Sequence, residues 1–546
     1  MRLKYTLVLI LVNILSIFKI KTKYISPTLT FFWQNKQFWK NKYLTTKLSE
    51  NYLLVEINNN IFMALGTATL ANLIAISKNL KIIYLVTKPD HASGYMNRIR
   101  ESFTNIEYWR MDQYLSENKE FIDEKSQTLY SSLNSVNEIK KLKYNNVLIG
   151  DIVYDEALRN GEWLSTIKSI DDRVYRSIHE SISYIESISY LEKVKNITSA
   201  CFSHGTSYGG IVLRYFAIKE KINYMGIIGS GPIRKFSSFT NRNPWTAEPP
   251  ISFIKNLLDD SKSRAKLLSD ANKFIDNKFS GNLNHFDAKR AFSKENKFYF
   301  SKAEFCTEFE LNNGKKNIFI MLHAFNDYPN HFDCVFNDYF DWFIATLGIA
   351  ERNDKVNWIF KEHPSAKFYP TNDLNLKSYF ENVPDNIILL DSDKKINSKS
   401  LLNICDGVIT VSGTASLEFS GFGIPSIICS DNYFSSYGIC YEAKNKDDYK
   451  NVLSNIESID SLDKDKQDDA KIINYIIFGI LSGNNKNSFG FLPISDHEAR
   501  LRNNVRDVLS FYIKYLHTND CEILICRLME FIENENEVIF LKEKIV

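Results

Sequence analysis

At 546 residues the chain is longer than one hydrophobic core encloses, since single cores stop growing at roughly 250–300 residues, so two or three domains are expected. A composition that is 44% hydrophobic and 24% charged, with 38 Phe and 29 Tyr, excludes a largely disordered chain and supplies aromatic area for cores or for stacking sugars and bases. The net charge of +2 gives no electrostatic basis for nucleic acid as a partner. The eight cysteines are scattered without a CxxC pair, which argues for a reducing compartment, no structural zinc and no disulfide framework.

In chain order, residues 1–50 come first. Met1-Arg-Leu-Lys4 leads into an apolar run from Thr6 to Phe18, followed by Lys19, Lys21 and Lys23. A helix over that run is about 20 Å long, short of the roughly 30 Å hydrocarbon core, and no small-x-small cleavage site follows. An interfacial helix at an anionic membrane leaflet is expected, with a buried first element of the fold as the competing expectation.

From Tyr52 strand-like and helix-like segments alternate: strand Leu53–Ile57, helix Ile61–Lys78, strand Lys81–Val86, strands at Asn146–Ile149 and Thr198–Phe202, then a Gly-rich turn and a helix from about Ile211. Around Pro244, Pro249 and Pro250 the pattern weakens into loops, helices and the passage to a second domain. It resumes with strand Asn317–Leu322, a helix carrying Phe336, Phe340, Phe343 and Leu347 on one face, and strands Trp358–Phe360, Asn386–Leu390 and Gly407–Val411. After Asp447 the chain reads as helical, apart from a polar loop near Gly483–Asn487. Such alternation predicts α/β architecture with parallel sheets covered on both faces. The expected division is an N-terminal segment 1–50, a Rossmann-like acceptor domain 51–310, a Rossmann-like donor domain 311–460 and a helical tail 461–546.

Two loops in the second half carry chemistry. Ser412, Gly413 and Thr414 lie where a strand turns into a helix, so backbone N–H groups and the Ser412, Thr414 and Ser416 hydroxyls form a site for phosphate oxygens, with Glu418 one turn along to accept from ribose hydroxyls. The competing reading is an ordinary helix cap. Lys361-Glu362-His363-Pro364 ends another predicted strand, and ligands of open α/β sheets bind outside the carboxyl ends of strands. There His363 can donate to a phosphate, Lys361 adds positive charge and Pro364 fixes the turn.

Lys-Glu-His-Pro followed by Ser-Gly-Thr-Ala-Ser-Leu-Glu and Gly-Ile-Pro resembles the paired signature of bacterial capsule and lipopolysaccharide polysaccharide-synthesis transferases, a group that includes Kdo and sialic acid transferases and, more distantly, the glycerophosphotransferases of teichoic acid synthesis. The resemblance covers residues 317–450 and, more weakly, 145–235. It implies a GT-B fold, two Rossmann-like domains facing across a cleft, with the His-Pro and Ser/Thr-rich loops holding the donor nucleotide. The usual basic-x-His-Pro is here Lys361-Glu362-His363-Pro364, and the acidic Glu362 departs from it only if that position bears on the phosphate.

In the first half, Asp151 follows Gly150 at a predicted strand end, and a carboxylate there suits the base of an inverting transfer; Asp155 is the second choice, and a helix-capping Asp151 is the competing reading. Ser203-His-Gly-Thr-Ser-Tyr-Gly-Gly210 resembles the His-Gly turn of the same transferases; His204 serves there as base or phosphate ligand, and Gly205, Gly209 and Gly210 permit close approach. His323 and Asp327 are expected at the cleft near the hinge, Asp327 alternatively as a turn residue. Asp391-Ser-Asp393 is better read as a turn than as a metal ligand pair, so no metal and no cofactor are expected beyond the nucleotide sugar as substrate.

The expected activity is inverting, metal-independent transfer of a sugar, tilted towards a CMP-activated acidic sugar, from a nucleotide donor to a surface polysaccharide or glycolipid, in the cytoplasm or on the inner face of the membrane. The alternatives are a CDP-polyol phosphotransferase, a sugar-nucleotide epimerase and a non-catalytic scaffold of polysaccharide assembly.

Overall fold

The computed structural model describes residues 27–43, 49–58, 60–88, 94–226, 233–238, 251–280, 298–364, 366–392, 396–481 and 505–534. The apolar run Thr6–Phe18, Pro244, Pro249, Pro250, Asp393 and the Gly483–Asn487 loop lie outside them. Among the described residues no helix is long and apolar enough to cross a membrane.

The strands of the first half are β1 (Asn51–Glu56), β2 (Lys81–Val86), β3 (Ile106–Arg110), the short hairpin β4 (Lys143–Tyr144) and β5 (Val147–Leu148), then β6 (Asn196–Phe202), β7 (Ile222–Met225) and β8 (Arg234–Phe236). The second half contributes β9 (Asn317–Met321), β10 (Asn357–Lys361), β11 (Ile387–Leu390), β12 (Gly407–Thr410), β13 (Ser426–Ile428) and β14 (Tyr441–Glu442). They form two six-stranded sheets in the orders β3-β2-β1-β6-β7-β8 and β11-β10-β9-β12-β13-β14. Every pairing in these sheets is parallel except β7 with β8. In each, the chain starts at the centre, steps outward on one side, then returns and steps outward on the other. Each half is therefore a doubly wound, Rossmann-like unit, with switch points between β1 and β6 and between β9 and β12. Two such units are the architecture of the GT-B class.

Period-two burial explains why both sheets are covered on both sides. Leu53 and Val55 of β1 enter one core, with helix Ile61–Lys78, while Tyr52 and Leu54 enter the other, with helices Gly150–Arg159, Asp172–Val194 and Ser207–Ile218. Packing divides the chain differently from its linear order. Helix Ser261–Phe279 buries Leu267, Phe274 and Ile275 with Leu417, Ile428 and Ile473, on the second sheet. The tail returns to the first half: Val508, Leu509, Tyr512, Leu524 and Leu528 share a core with Leu53 and Val55, and Tyr512 Oη meets Thr69 Oγ1 at 2.8 Å. Helix Pro27–Tyr43 joins the same core through Phe31 and Trp39.

Two expected elements differ. Asn146–Ile149 is no strand of the parallel sheet; Val147 and Leu148 pair antiparallel with Lys143 and Tyr144, because two residues at positive φ, Asn145 and Asn146, turn the chain back. The aromatic helix starts at Tyr339, so Phe336 precedes it; the Asp338 carboxylate accepts from the Asp341 N–H and sets the start.

That same carboxylate joins the halves. Asp338 Oδ2 accepts from Tyr154 Oη at 2.5 Å and from Thr166 Oγ1 at 2.6 Å. Nearby, Asp155 accepts from the Asn330 backbone N–H and side-chain amide, and Asp373 accepts from Ser165 N–H and hydroxyl. Asp338→Ala removes the cap and leaves the buried Tyr154 hydroxyl and the half-buried Thr166 hydroxyl without this acceptor, so a loss of about 3 kcal/mol is expected in denaturant unfolding, against about 1 kcal/mol for Asp338→Asn, which still caps. An Ala variant within about 0.5 kcal/mol of wild type would contradict this role.

Candidate functional site

The carboxyl ends of β1 and β6 lie side by side at the first switch point, and each delivers a polar residue. Glu56 ends β1; its Oε2 accepts from the Ser203 N–H at 2.7 Å and from the Ser203 hydroxyl. Ser203 Oγ in turn lies 2.9 Å from His204 Nδ1. With the serine proton committed to Glu56, the Ser203 oxygen accepts from Nδ1–H, which fixes the histidine tautomer and leaves the ring lone pair on Nε2. Burial lowers the His204 pKa, keeping the imidazole neutral, and raises that of Glu56 against its two Ser203 bonds. Gly210 is required by packing, because a Cβ there would stand 2.0 Å from the Gly205 carbonyl; at Gly209 it would meet the Phe202 ring at 3.2 Å.

The second switch point, between β9 and β12, gathers His323, Thr410 and the loop Ser412–Thr414. His323 Nε2 is 2.9 Å from Thr410 Oγ1, which also accepts from the Gly413 N–H at 3.3 Å. The His323 ring stacks on Tyr339, centroids 4.2 Å apart and 12° between planes, and the Tyr339 hydroxyl bonds the Ser412 side chain. Burial drives the His323 pKa down to about 3, with His363 and His331 adding repulsion, so the ring is neutral and His363 lies in its electrostatic neighbourhood. Lys361 ends β10 and His363 and Pro364 follow directly. The neighbouring Glu362 accepts from the Ser392 N–H at 2.7 Å, so its carboxylate holds the next loop.

Between these edges the halves touch. The Tyr328 hydroxyl, from the loop after β9, lies 3.2 Å from Glu156 Oε1, and both side chains bond Ser207 at the start of the helix after β6. Ser207 and Tyr328 both hold positive φ, 59° and 50°, a costly conformation for non-glycine residues that persists only where surrounding contacts impose it.

Several expected site residues take other roles. Asp151 lies in the first turn of helix Gly150–Arg159, not at the end of a sheet strand, and its two oxygens pair with Arg214 Nη1 and Nη2, each at 2.6 Å. Both oxygens of this carboxylate are therefore engaged by the guanidinium. Asp155 is 3% exposed against Asn330, and burial raises its pKa well above the ordinary carboxylate range. Ser416 donates to the Gly413 carbonyl at 2.7 Å, inside its own turn. Glu418 points away from the loop and pairs with Lys278 at 2.5 Å, both side chains nearly buried. Gly413 answers to Thr410, whose Oγ1 would lie 2.7 Å from an added Cβ. Thr414 stands at the N-cap position without a side-chain capping bond and is exposed. Asp327 lies 3.8 Å from Arg159 across the seam. Asp391, of the pair judged a turn, meets Lys377 at 3.0 Å. Among the described residues no group of three or more His, Cys, Asp or Glu is placed to hold a metal ion.

Sequence reasoning passed over Glu56, Glu156, Tyr328 and His331. Glu56 carried a usable signal, as a carboxylate ending a central strand; Glu156 and Tyr328 depend on contacts between the halves, and His331 on a bond to the Tyr328 carbonyl.

No protein-family model and no curated protein matches the chain. Among solved structures it is similar to the KpsC beta Kdo 2,4 transferase of Thermosulfurimonas dismutans, at 11% identity over 50% of this chain and 79% of that one, with a TM-score of 0.30. It is also similar to the UDP-GlcNAc 2-epimerase of Neisseria meningitidis, at 10% identity over 78% and 98% of the two chains and a TM-score of 0.23. A third likeness is to the wall teichoic acid polymerase TagF, at 10% identity over 90% and 98% and a TM-score of 0.21. Likeness at this level assigns no activity; the fold class rests on the strand orders.

The half-buried histidines His323 and His331 make stability depend on pH. The folded pKa of His323 is about 3 and that of His331 about 4, both below the ordinary 6.5. Between pH 6.5 and about 4 the unfolded chain therefore binds protons that the folded chain refuses, so their contribution is full above pH 6.5 and is lost on acidification, by up to about 1.4 kcal/mol per pH unit for each ring. Denaturation midpoints measured from pH 7 to 4.5 should fall less steeply in His323→Gln and His331→Gln; slopes equal to wild type would refute the assignment.

Proposed function

We propose that the chain is a nucleotide-sugar-dependent glycosyltransferase, with the donor held by the second half and the base supplied by the first. The observation that carries this reading is that Tyr328, on the loop after β9, meets Glu156 and Ser207 between two switch-point edges, one bearing the Glu56–Ser203–His204 relay, the other bearing His323, Thr410 and Ser412–Thr414 beside His363.

In the proposed step His204 Nε2 takes the proton of an acceptor hydroxyl while that oxygen attacks the anomeric carbon. The bond from that carbon to the donor phosphate oxygen breaks, and the nucleotide departs with the bonding pair. Ser203 and Glu56 hold the ring and offset its positive charge as it becomes imidazolium. The departing phosphate is met by the Thr414 hydroxyl, Lys361 and His363, so the step requires no divalent cation. A single displacement inverts the anomeric centre. Asp151, Asp155, Ser416 and Glu418 hold structure in this reading.

The donor proposed is a CMP-activated acidic sugar, on the resemblance of the His-Pro and Ser-rich loops. The acceptor is a surface polysaccharide or glycolipid, met in the cytoplasm at the membrane face through the N-terminal segment.

Thermal-shift measurements against CMP, CDP, UDP and GDP test the donor side. A nucleotide at about 100 times its Kd should stabilise the protein by about 2.7 kcal/mol. The CMP shift should vanish in His363→Ala and persist in His204→Ala, while turnover in His204→Ala falls about 10²–10⁴-fold. A shift with UDP or GDP alone would replace the donor. Interconversion of a nucleotide sugar without acceptor would make the protein an epimerase, phosphate in the product a polyol phosphotransferase, and no shift at all a scaffold.

A further inference from the structure

Beside the two switch points, the seam between the halves carries an aromatic cluster that the proposed chemistry does not use. Arg159 ends the helix Gly150–Arg159, and its guanidinium lies over three rings: Tyr328 at 4.4 Å, Trp163 at 5.6 Å and Tyr369 at 5.8 Å. Trp163 comes from the first half and Tyr369 from the second. Their planes are 28° apart with centroids 6.3 Å apart, and neither ring is fully buried. The platform is held from both sides, since the Asn372 N–H donates to the Trp163 carbonyl at 2.7 Å and the Asn326 side-chain amide donates to the Pro370 carbonyl at 3.2 Å. Asn326 Oδ1, fully buried, has no hydrogen-bond partner, so a polar acceptor is left unsatisfied behind the platform.

Stacked rings with part of their area open, flanked by a guanidinium and the half-exposed Asp327 carboxylate 3.8 Å from it, offer what a pyranose needs. The apolar C–H face of the sugar lies on an aromatic face, and its equatorial hydroxyls meet a charged donor and a charged acceptor. The position agrees: Tyr369 follows Lys361–Pro364 by one short turn, and Tyr328 connects Arg159 to Glu156 and Ser207, three residues from His204. We propose that Trp163, Tyr369 and Arg159 form a saccharide subsite that seats a pyranose ring of the glycan acceptor. The role as acceptor rests on the transferase reading above; the capacity to bind a sugar ring does not.

Saturation-transfer difference NMR with maltotriose, chitotriose and an oligosialic acid tests it on the full chain. At least one of them should receive saturation, strongest on the C–H protons of one ring face. Trp163→Ala and Tyr369→Ala should each weaken binding about tenfold, the weight of one aromatic contact, whereas Trp163→Phe should retain it. Melting temperatures equal to wild type certify that the variants fold, and Trp163→Leu, which keeps apolar bulk but removes the ring, replaces Trp163→Ala if the alanine variant does not. Absence of transfer from all three sugars, or transfer indifferent to both substitutions, overturns the subsite. A protein that binds sugar through Trp163 yet shifts with no nucleotide keeps the subsite and loses the transferase reading. One that shifts with nucleotide but whose sugar signal ignores Trp163 and Tyr369 keeps the transferase reading and loses the subsite.

Discussion

The buried Asp338 carboxylate is the constraint on which the arrangement of both halves depends. One oxygen caps helix Tyr339–Ala350 of the second half; the other accepts from Tyr154 and Thr166 of the first. The next residue, Tyr339, stacks on His323 and bonds Ser412. A single fully buried side chain thus links the register of the seam to the position of the second switch-point loop. A buried carboxylate with three donors is stabilising only while all three remain, because any donor lost leaves charge desolvated and less compensated.

Desolvation is the common electrostatic feature of the candidate site. Burial lowers the pKa of His204, His323 and His331, and it raises those of Glu56 and Asp155. Two largely buried ion pairs carry charge, Asp151 with Arg214 and Lys278 with Glu418. His204 is a neutral imidazole with its Nδ1 proton held by a serine, whereas both oxygens of Asp151 are engaged by the Arg214 guanidinium. This contrast moves the proposed base from Asp151 to His204.

Much of the fold was legible because its signals are local. Helix Ile61–Lys78 and strand Lys81–Val86 coincide with their expected bounds, since a long apolar helix and a β-branched run carry their own periodicity. The edge strands β3, β8 and β14 were not anticipated; short strands carry little pattern and owe their existence to a neighbour already in the sheet. His204, His363 and Ser412 were singled out because they sit on loops after parallel strands, and the structure places them on such loops. Ser416 and Glu418 were assigned to the ligand by the same logic, yet one bonds its own turn and the other a lysine from a helix that sequence order had given to the first half.

What the amino-acid sequence determined alone is therefore the α/β alternation, the presence of two units and the strand-end loops that carry reactive side chains, all of them properties of a few consecutive residues. The tertiary structure decided which of those side chains remain available. Asp151 met Arg214, 63 residues away, Glu418 met Lys278, and Glu56 closed a relay on Ser203 across the sheet. It also decided that Trp163 and Tyr369, unremarkable in the sequence, share one platform around Arg159. The physical reason is that charge pairing, desolvation and ring stacking act over a few ångströms in space. Periodicity along a chain holds no record of which distant residues folding brings within that range.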